Sequence, residues 1–127
     1  MRGRILFIDD EPEILKAVKF YLEDEDFEVY VAEEGNAALE LAESVRPDLI
    51  ILDVMMATDT EGIEVSRRIA ESPDLRTLPV LLLTGIRKAK NLPFGLTPDE
   101  NWLPVRTVLE KPVPPDVLLK EIQKLLP

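Results

Sequence analysis

The stretch Ile5-Leu6-Phe7-Ile8-Asp9-Asp10-Glu11-Pro12 decides the fold, because it joins a short apolar run to the start of a helix. Four consecutive apolar residues predict a strand that is buried on both faces. Asp10, followed by Pro12 and Glu13, has the pattern of a helix N-cap. The segment that follows carries an apolar stripe at helical spacing, formed by Ile14, Val18, Tyr21 and Leu22.

The same alternation of strand and helix recurs along the chain. Three more apolar runs predict strands at 29–31, 49–52 and 80–83, and the stretch 105–109, which contains Val105, Val108 and Leu109, predicts a fifth strand. Helical apolar stripes lie at 38–45, 63–69 and 117–125. Between 85 and 106, three prolines and a glycine interrupt the place of a further helix, so we predict an irregular fourth-helix region there. Apolar strands alternating with helices predict one doubly wound α/β domain with a five-stranded parallel sheet, spanning residues 1–127.

Composition excludes several kinds of chemistry. The 127 residues include no cysteine and no histidine, which rules out disulfides, thiolate or imidazole metal ligands, and cysteine or Ser-His-Asp catalysis. The formal charge of −10 argues against nucleic acid or an anionic membrane as a direct partner. No apolar run approaches the roughly 20 residues of a membrane span, and no signal sequence is evident, so we expect a cytoplasmic protein.

Polar residues follow the predicted strands. Since parallel strands end at one edge of a sheet, these residues should converge there: Asp9, Asp10, Asp53, Thr84 and Lys111. Crowded carboxylates favour a hard divalent cation, and Mg²⁺ suits them because it takes oxygen ligands. A carboxylate beside Mg²⁺ and a lysine ammonium is placed to attack a phosphoryl group, with the Thr84 hydroxyl as a further donor. The expected product is an aspartyl phosphate.

With these motifs, the sequence resembles the receiver domains of two-component response regulators over essentially its whole length. The motifs are Ile8-Asp9-Asp10-Glu11-Pro12, Leu52-Asp53-Val54-Met55-Met56, Leu83-Thr84-Gly85 and Glu110-Lys111-Pro112. The resemblance implies a flavodoxin-like sheet with strand order 2-1-3-4-5. It implies that Asp53 is the phosphoacceptor, that Thr84 and Lys111 bind the phosphoryl group, and that Mg²⁺ is held by Asp9, Asp10, Asp53 and the Met55 carbonyl.

The resemblance also implies what the domain does. We expect a receiver that takes its phosphoryl group from a sensor histidine kinase or phosphotransfer protein and acts on a downstream protein target. Such a domain is not a turnover enzyme; it catalyses only transfer to Asp53 and its own slow dephosphorylation. The chain departs from the usual pattern at Ala57, where proline is common, and at Val108, where many receivers carry a switching aromatic residue.

Three other functions stay open at this stage. A pseudo-receiver that binds partners constitutively fits Val108 and the irregular region, although the five polar residues argue against it. An aspartyl-phosphate phosphatase would favour a second acid where Met55 stands. A flavodoxin would need a hydroxyl- and glycine-rich phosphate loop after the first strand, where this chain has three acids.

Overall fold

A computed structural model describes residues 2–53, 61–85, 105–111 and 113–126, with the backbone alone for 61–63, 84–85 and 110–111. Within these residues, strands and helices alternate along the chain up to β4. The strands are β1 (Arg4–Ile8), β2 (Glu28–Ala32), β3 (Leu49–Asp53), β4 (Val80–Gly85) and β5 (Thr107–Lys111). The helices are α1 (Pro12–Asp24), α2 (Gly35–Val45), α3 (Glu61–Glu71) and α4 (Pro115–Leu125).

The five strands form one parallel sheet in the order β2-β1-β3-β4-β5. This confirms the predicted flavodoxin-like architecture. The order reverses direction after β2, so β1 and β3 lie side by side in the centre of the sheet. At this kind of switch point the carboxyl ends of neighbouring strands open a crevice in which open α/β sheets bind ligands.

Helices cover the sheet on both faces, which explains the continuously apolar strands. Successive residues of β1 and β3 alternate between two core clusters. One cluster contains Leu6 and Ile8 with residues of α2 and α3, and the other contains Ile5 and Phe7 with residues of α1 and α4. Each strand residue therefore needs an apolar side chain whichever face it points to.

The start of α1 differs from the prediction. The N-cap is Glu11, with Pro12 in the first turn, and no side chain caps the helix. The prediction that Asp10 is the N-cap is therefore wrong. Proline is favoured at the first helical position because it has no N–H to satisfy there, and this moves the helix start one residue along the chain.

Other boundaries agree with the sequence to within a few residues. Helix α2 begins at Gly35, three residues before its apolar stripe, and it ends where Arg46 adopts a left-handed conformation with φ 50° before Pro47. Strand β5 begins at Thr107 and not at Val105, because Thr107 is the first residue that pairs with β4, where it lies opposite Leu81. The predicted irregular region lies outside the described residues from 86 to 104. None of the described helices is long and apolar enough to cross a membrane.

A small polar cluster joins the amino-terminal ends of β1 and β2. The Tyr30 hydroxyl donates a hydrogen bond to Glu28 Oε1, and Arg4 Nε donates to Glu28 Oε2 at 3.3 Å. The hydrogen bond from Tyr30 lowers the pKa of Glu28 most, desolvation opposes it, and the Arg4 charge lowers the pKa further, so that it lies below its ordinary value of 4.5. A lowered folded-state pKa stabilises the protein above about pH 4.5, and this stabilisation is lost as the pH falls further.

We therefore expect Glu28→Gln to flatten the acid limb of the stability curve. Below about pH 4.5 the free energy of unfolding of the wild type should fall more steeply than that of the variant. Urea unfolding between pH 3 and pH 6, roughly the range over which carboxyl groups titrate, measures the two slopes. Glu43→Gln, at an exposed position of α2, is the matched control and should keep the wild-type slope. Equal acid slopes for wild type and Glu28→Gln would contradict this account.

Candidate metal centre

The sheet brings two acids together at the carboxyl ends of its central strands. Ile8 of β1 lies opposite Leu52 of β3, so the next residues of the two strands, Asp9 and Asp53, are neighbours. The Asp9 N–H donates to the Ala32 carbonyl at 3.1 Å, which anchors the backbone one residue beyond β1. Both side chains are buried, with Asp9 0% and Asp53 2% exposed.

Asp10 completes a group of three acids. One carboxylate oxygen each from Asp9, Asp10 and Asp53 can be chosen so that all lie within 4.8 Å of one another. Asp10 is exposed, unlike the other two. The site thus has a buried floor and an open side through which an ion or a phosphoryl group can enter.

The residue that precedes α1 orients Asp9. The Glu11 N–H donates to Asp9 Oδ1 at 3.0 Å, and the Glu11 carbonyl accepts the Leu15 N–H at 3.1 Å as the helix begins. This bond is not a helix cap, because Glu11 precedes Pro12, the first residue of α1. Pro12 was the signal that could have located the helix start and, with it, this hydrogen bond.

The donor set of this group fits a hard divalent cation. Carboxylate oxygens are preferred ligands of Mg²⁺ and Ca²⁺, and the open side leaves room for the waters that Mg²⁺ retains. Three like charges within 4.8 Å also repel one another, and a bound cation would offset this repulsion. The acidic cluster formed by Asp9, Asp10 and Asp53 could therefore bind a metal ion.

The backbone places the remaining predicted residues near the same edge of the sheet. Leu83 of β4 lies opposite Asp53, so Thr84 follows one position beyond it. Lys111 of β5 lies opposite Gly85. The side chains of Thr84 and Lys111 lie outside the described part of the structure, as do Met55 and Ala57. Their predicted roles stay predictions.

The chain matches the response regulator receiver domain family over residues 5–123. It is 39% identical over 94 residues to the transcriptional regulatory protein TrcR of Mycobacterium tuberculosis, covering 74% of this chain and 35% of that protein. The chemotaxis response regulator CheY4 of Vibrio cholerae is a similar solved structure, with TM-score 0.78, 27% identity and coverage of 99% and 100% of the two chains.

A second similar structure is the signal receiver domain of a signal transduction histidine kinase from Syntrophus aciditrophicus. Its TM-score is 0.81 at 30% identity, and the alignment covers 98% of this chain and 89% of that one. By contrast, the chain spans only 32% to 35% of the length of the transcriptional regulatory proteins that it matches. The similarity to those regulators therefore concerns one part of them.

Proposed function

This chain belongs to the response regulator receiver domain family, and on that premise we propose that it is a signal receiver that accepts a phosphoryl group from a sensor histidine kinase onto Asp53. Receiver domains of response regulators interact with such kinases. The observation that supports the proposal most is the group of three carboxylates at the carboxyl ends of β1 and β3.

In the proposed reaction, a carboxylate oxygen of Asp53 attacks the phosphorus of a phosphohistidine. The new O–P bond forms as the P–N bond breaks, and the leaving imidazole takes a proton from solvent. Asp53 is only 2% exposed, so its carboxylate is held in a fixed position at the edge of the sheet. This reduces the rearrangement of the carboxylate that the reaction requires. The product is an aspartyl phosphate on the receiver and a free histidine on the donor.

The neighbouring residues have supporting roles in this proposal. Asp9 and Asp10, with Asp53 and the Met55 carbonyl, would hold Mg²⁺. When bound, Mg²⁺ supplies positive charge that offsets the negative charge of the phosphoryl oxygens. The Lys111 ammonium and the Thr84 hydroxyl bind the same oxygens. The fixed hydrogen bond from the Glu11 N–H to Asp9 Oδ1 keeps that carboxylate in one orientation.

The domain is proposed to act as a switch and not as a turnover enzyme. It catalyses transfer to Asp53 and slow hydrolysis of its own phosphate. In the receiver family, the residues two positions beyond the phosphoacceptor and two beyond the threonine tune hydrolysis of the aspartyl phosphate. By that resemblance these residues are Met55 and Ile86 here, and both are apolar. Neither side chain can position a water molecule for attack on the phosphorus, so the phosphorylated state should be long-lived.

A phosphoryl mimic tests whether the segment between Thr84 and Lys111 responds to occupancy at Asp53. We expect Mg²⁺ with beryllofluoride to change the emission of Trp102, the only tryptophan, because occupancy at Asp53 should alter the segment between Thr84 and Lys111. Amide exchange of residues 85–106 gives a second measurement. Asp53→Asn is the control and should show no change. If both signals stay constant while fluorine NMR shows the mimic bound to the wild type, the segment does not switch and the output surface lies elsewhere.

A further inference from the structure

Helix α1 exposes an aromatic side chain away from the sheet. Phe20 is 77% exposed, and the only other large apolar residue exposed within the described ranges is Val117 on α4, at 39%. A single exposed apolar residue needs no explanation by itself. The charged residues on both sides of Phe20, however, form a pattern that calls for an explanation.

Opposite charges flank Phe20 at equal distances along the helix. Lys16 stands four residues before it and Asp24 four residues after it, so both are neighbours of Phe20 on the exposed face. Within the described residues neither side chain takes part in an ion pair, whereas Lys19 is already paired with Glu23 at 3.4 Å. The helix thus presents a cation, an aromatic ring and an anion in sequence along one face.

We propose that two copies of this chain associate through α1, with the two helices antiparallel and a two-fold axis at Phe20. About this axis, residues equally far before and after Phe20 face each other. Lys16 of each copy then lies against Asp24 of the other, and the two phenyl rings meet in an offset stack. The small side chain of Ala17, also exposed, allows the helices to approach closely.

The charge pattern selects this orientation over the parallel one. A parallel pair would set Lys16 against Lys16 and Asp24 against Asp24, which is repulsive. Helices that cross at the commonly observed angle of about −50° touch mainly within about one turn of the crossing point. Lys16 and Asp24 lie within that distance of Phe20. Glu25 and Asp26, the acids that follow α1, lie beyond it. At about 0.15 M salt the repulsion due to the net charge of −10 is screened beyond about 8 Å, whereas pairs in contact persist.

Sedimentation equilibrium of the full chain tests the association. Between about 20 μM and 1 mM, at about 0.15 M salt, we expect the mean mass to rise from that of one chain toward that of two. Phe20→Ser should raise the dissociation constant about tenfold or more, because it removes the central apolar contact. Val117→Ser, which removes the other exposed apolar side chain, is the matched control and should leave the dissociation constant unchanged. A mass of one chain at every concentration would overturn the proposal.

Charge reversal tests the antiparallel geometry. Lys16→Glu or Asp24→Lys alone should weaken self-association about tenfold. Positions 16 and 24 face each other at two places in the dimer, and either substitution gives them the same charge at both. A mixture of these two variants should associate as well as the wild type, since residues 16 and 24 that face each other in the mixed dimer have opposite charges. The variant that carries both substitutions should also associate as well as the wild type, for the same reason. Because Lys16 and Asp24 are both exposed, we expect each variant to fold. Thermal melts check this. If the mixture associates no better than the single variants alone, the antiparallel pairing is wrong.

Discussion

A chain carrying Asp53→Asn should take up no phosphoryl group from acetyl phosphate and Mg²⁺, whereas the wild type should take up one. The amide oxygen of asparagine is far less nucleophilic than a carboxylate, so the step that forms the O–P bond is lost. The two side chains have the same shape, and the fold should survive at this buried position. Intact mass spectrometry at neutral pH measures the uptake.

The matched control for this experiment is Asp74→Asn, in the exposed turn after α3. It removes one carboxylate without touching the acidic cluster and should keep full uptake. The phosphoryl group on the wild type should be lost in both acid and base, as expected for an acyl phosphate. Full uptake by Asp53→Asn would show that another residue is the acceptor.

Mg²⁺ should stabilise the wild type against unfolding by an amount that depends on the acidic cluster. The three carboxylates are brought within 4.8 Å only in the folded chain, so the unfolded chain should bind the ion much more weakly. At about 100 times the dissociation constant, this linkage raises the free energy of unfolding by roughly 2.7 kcal/mol. Urea or thermal unfolding with and without Mg²⁺ measures the effect.

Asp10→Asn should remove most of the Mg²⁺-dependent stabilisation. Asp10 is exposed, so its substitution leaves no unsatisfied buried group, and the relief of carboxylate repulsion should stabilise the metal-free protein. Glu11→Gln is the matched control, because Glu11 is an adjacent exposed acid outside the cluster. It should keep the wild-type response to Mg²⁺. A response in Asp10→Asn equal to that of the wild type would exclude Asp10 as a ligand.

Much of this fold can be predicted from the apolar runs alone. Ile5 to Ile8 and Leu49 to Leu52 are apolar at every position, because each strand is covered on both faces, and this pattern is typical of a parallel sheet. The convergence of Asp9 and Asp53 then follows from parallel pairing, since both residues come directly after those runs. The strand order was predicted from the resemblance to the receiver family and not from the runs.

Details that depend on competition between local interactions were harder to predict. Asp10 and Glu11 both stand before a helix, and only the position of Pro12 decides which of them is the N-cap. Likewise, Val105 is apolar and buried yet precedes β5, because packing in the core and pairing with β4 begin at different residues. Hydrophobicity reports burial, whereas hydrogen-bond register sets where a strand starts.

Locating the phosphoryl group within the chain tests the central claim most directly. The wild type is treated with acetyl phosphate and Mg²⁺ and then reduced with borohydride, which converts an aspartyl phosphate to homoserine and leaves free carboxylates unchanged. Tandem mass spectrometry of the peptides then identifies the reduced residue. We predict homoserine at position 53 and unchanged aspartate at positions 9 and 10. Homoserine at either of those positions, or at none of the three, would contradict the assignment of Asp53 as the phosphoacceptor.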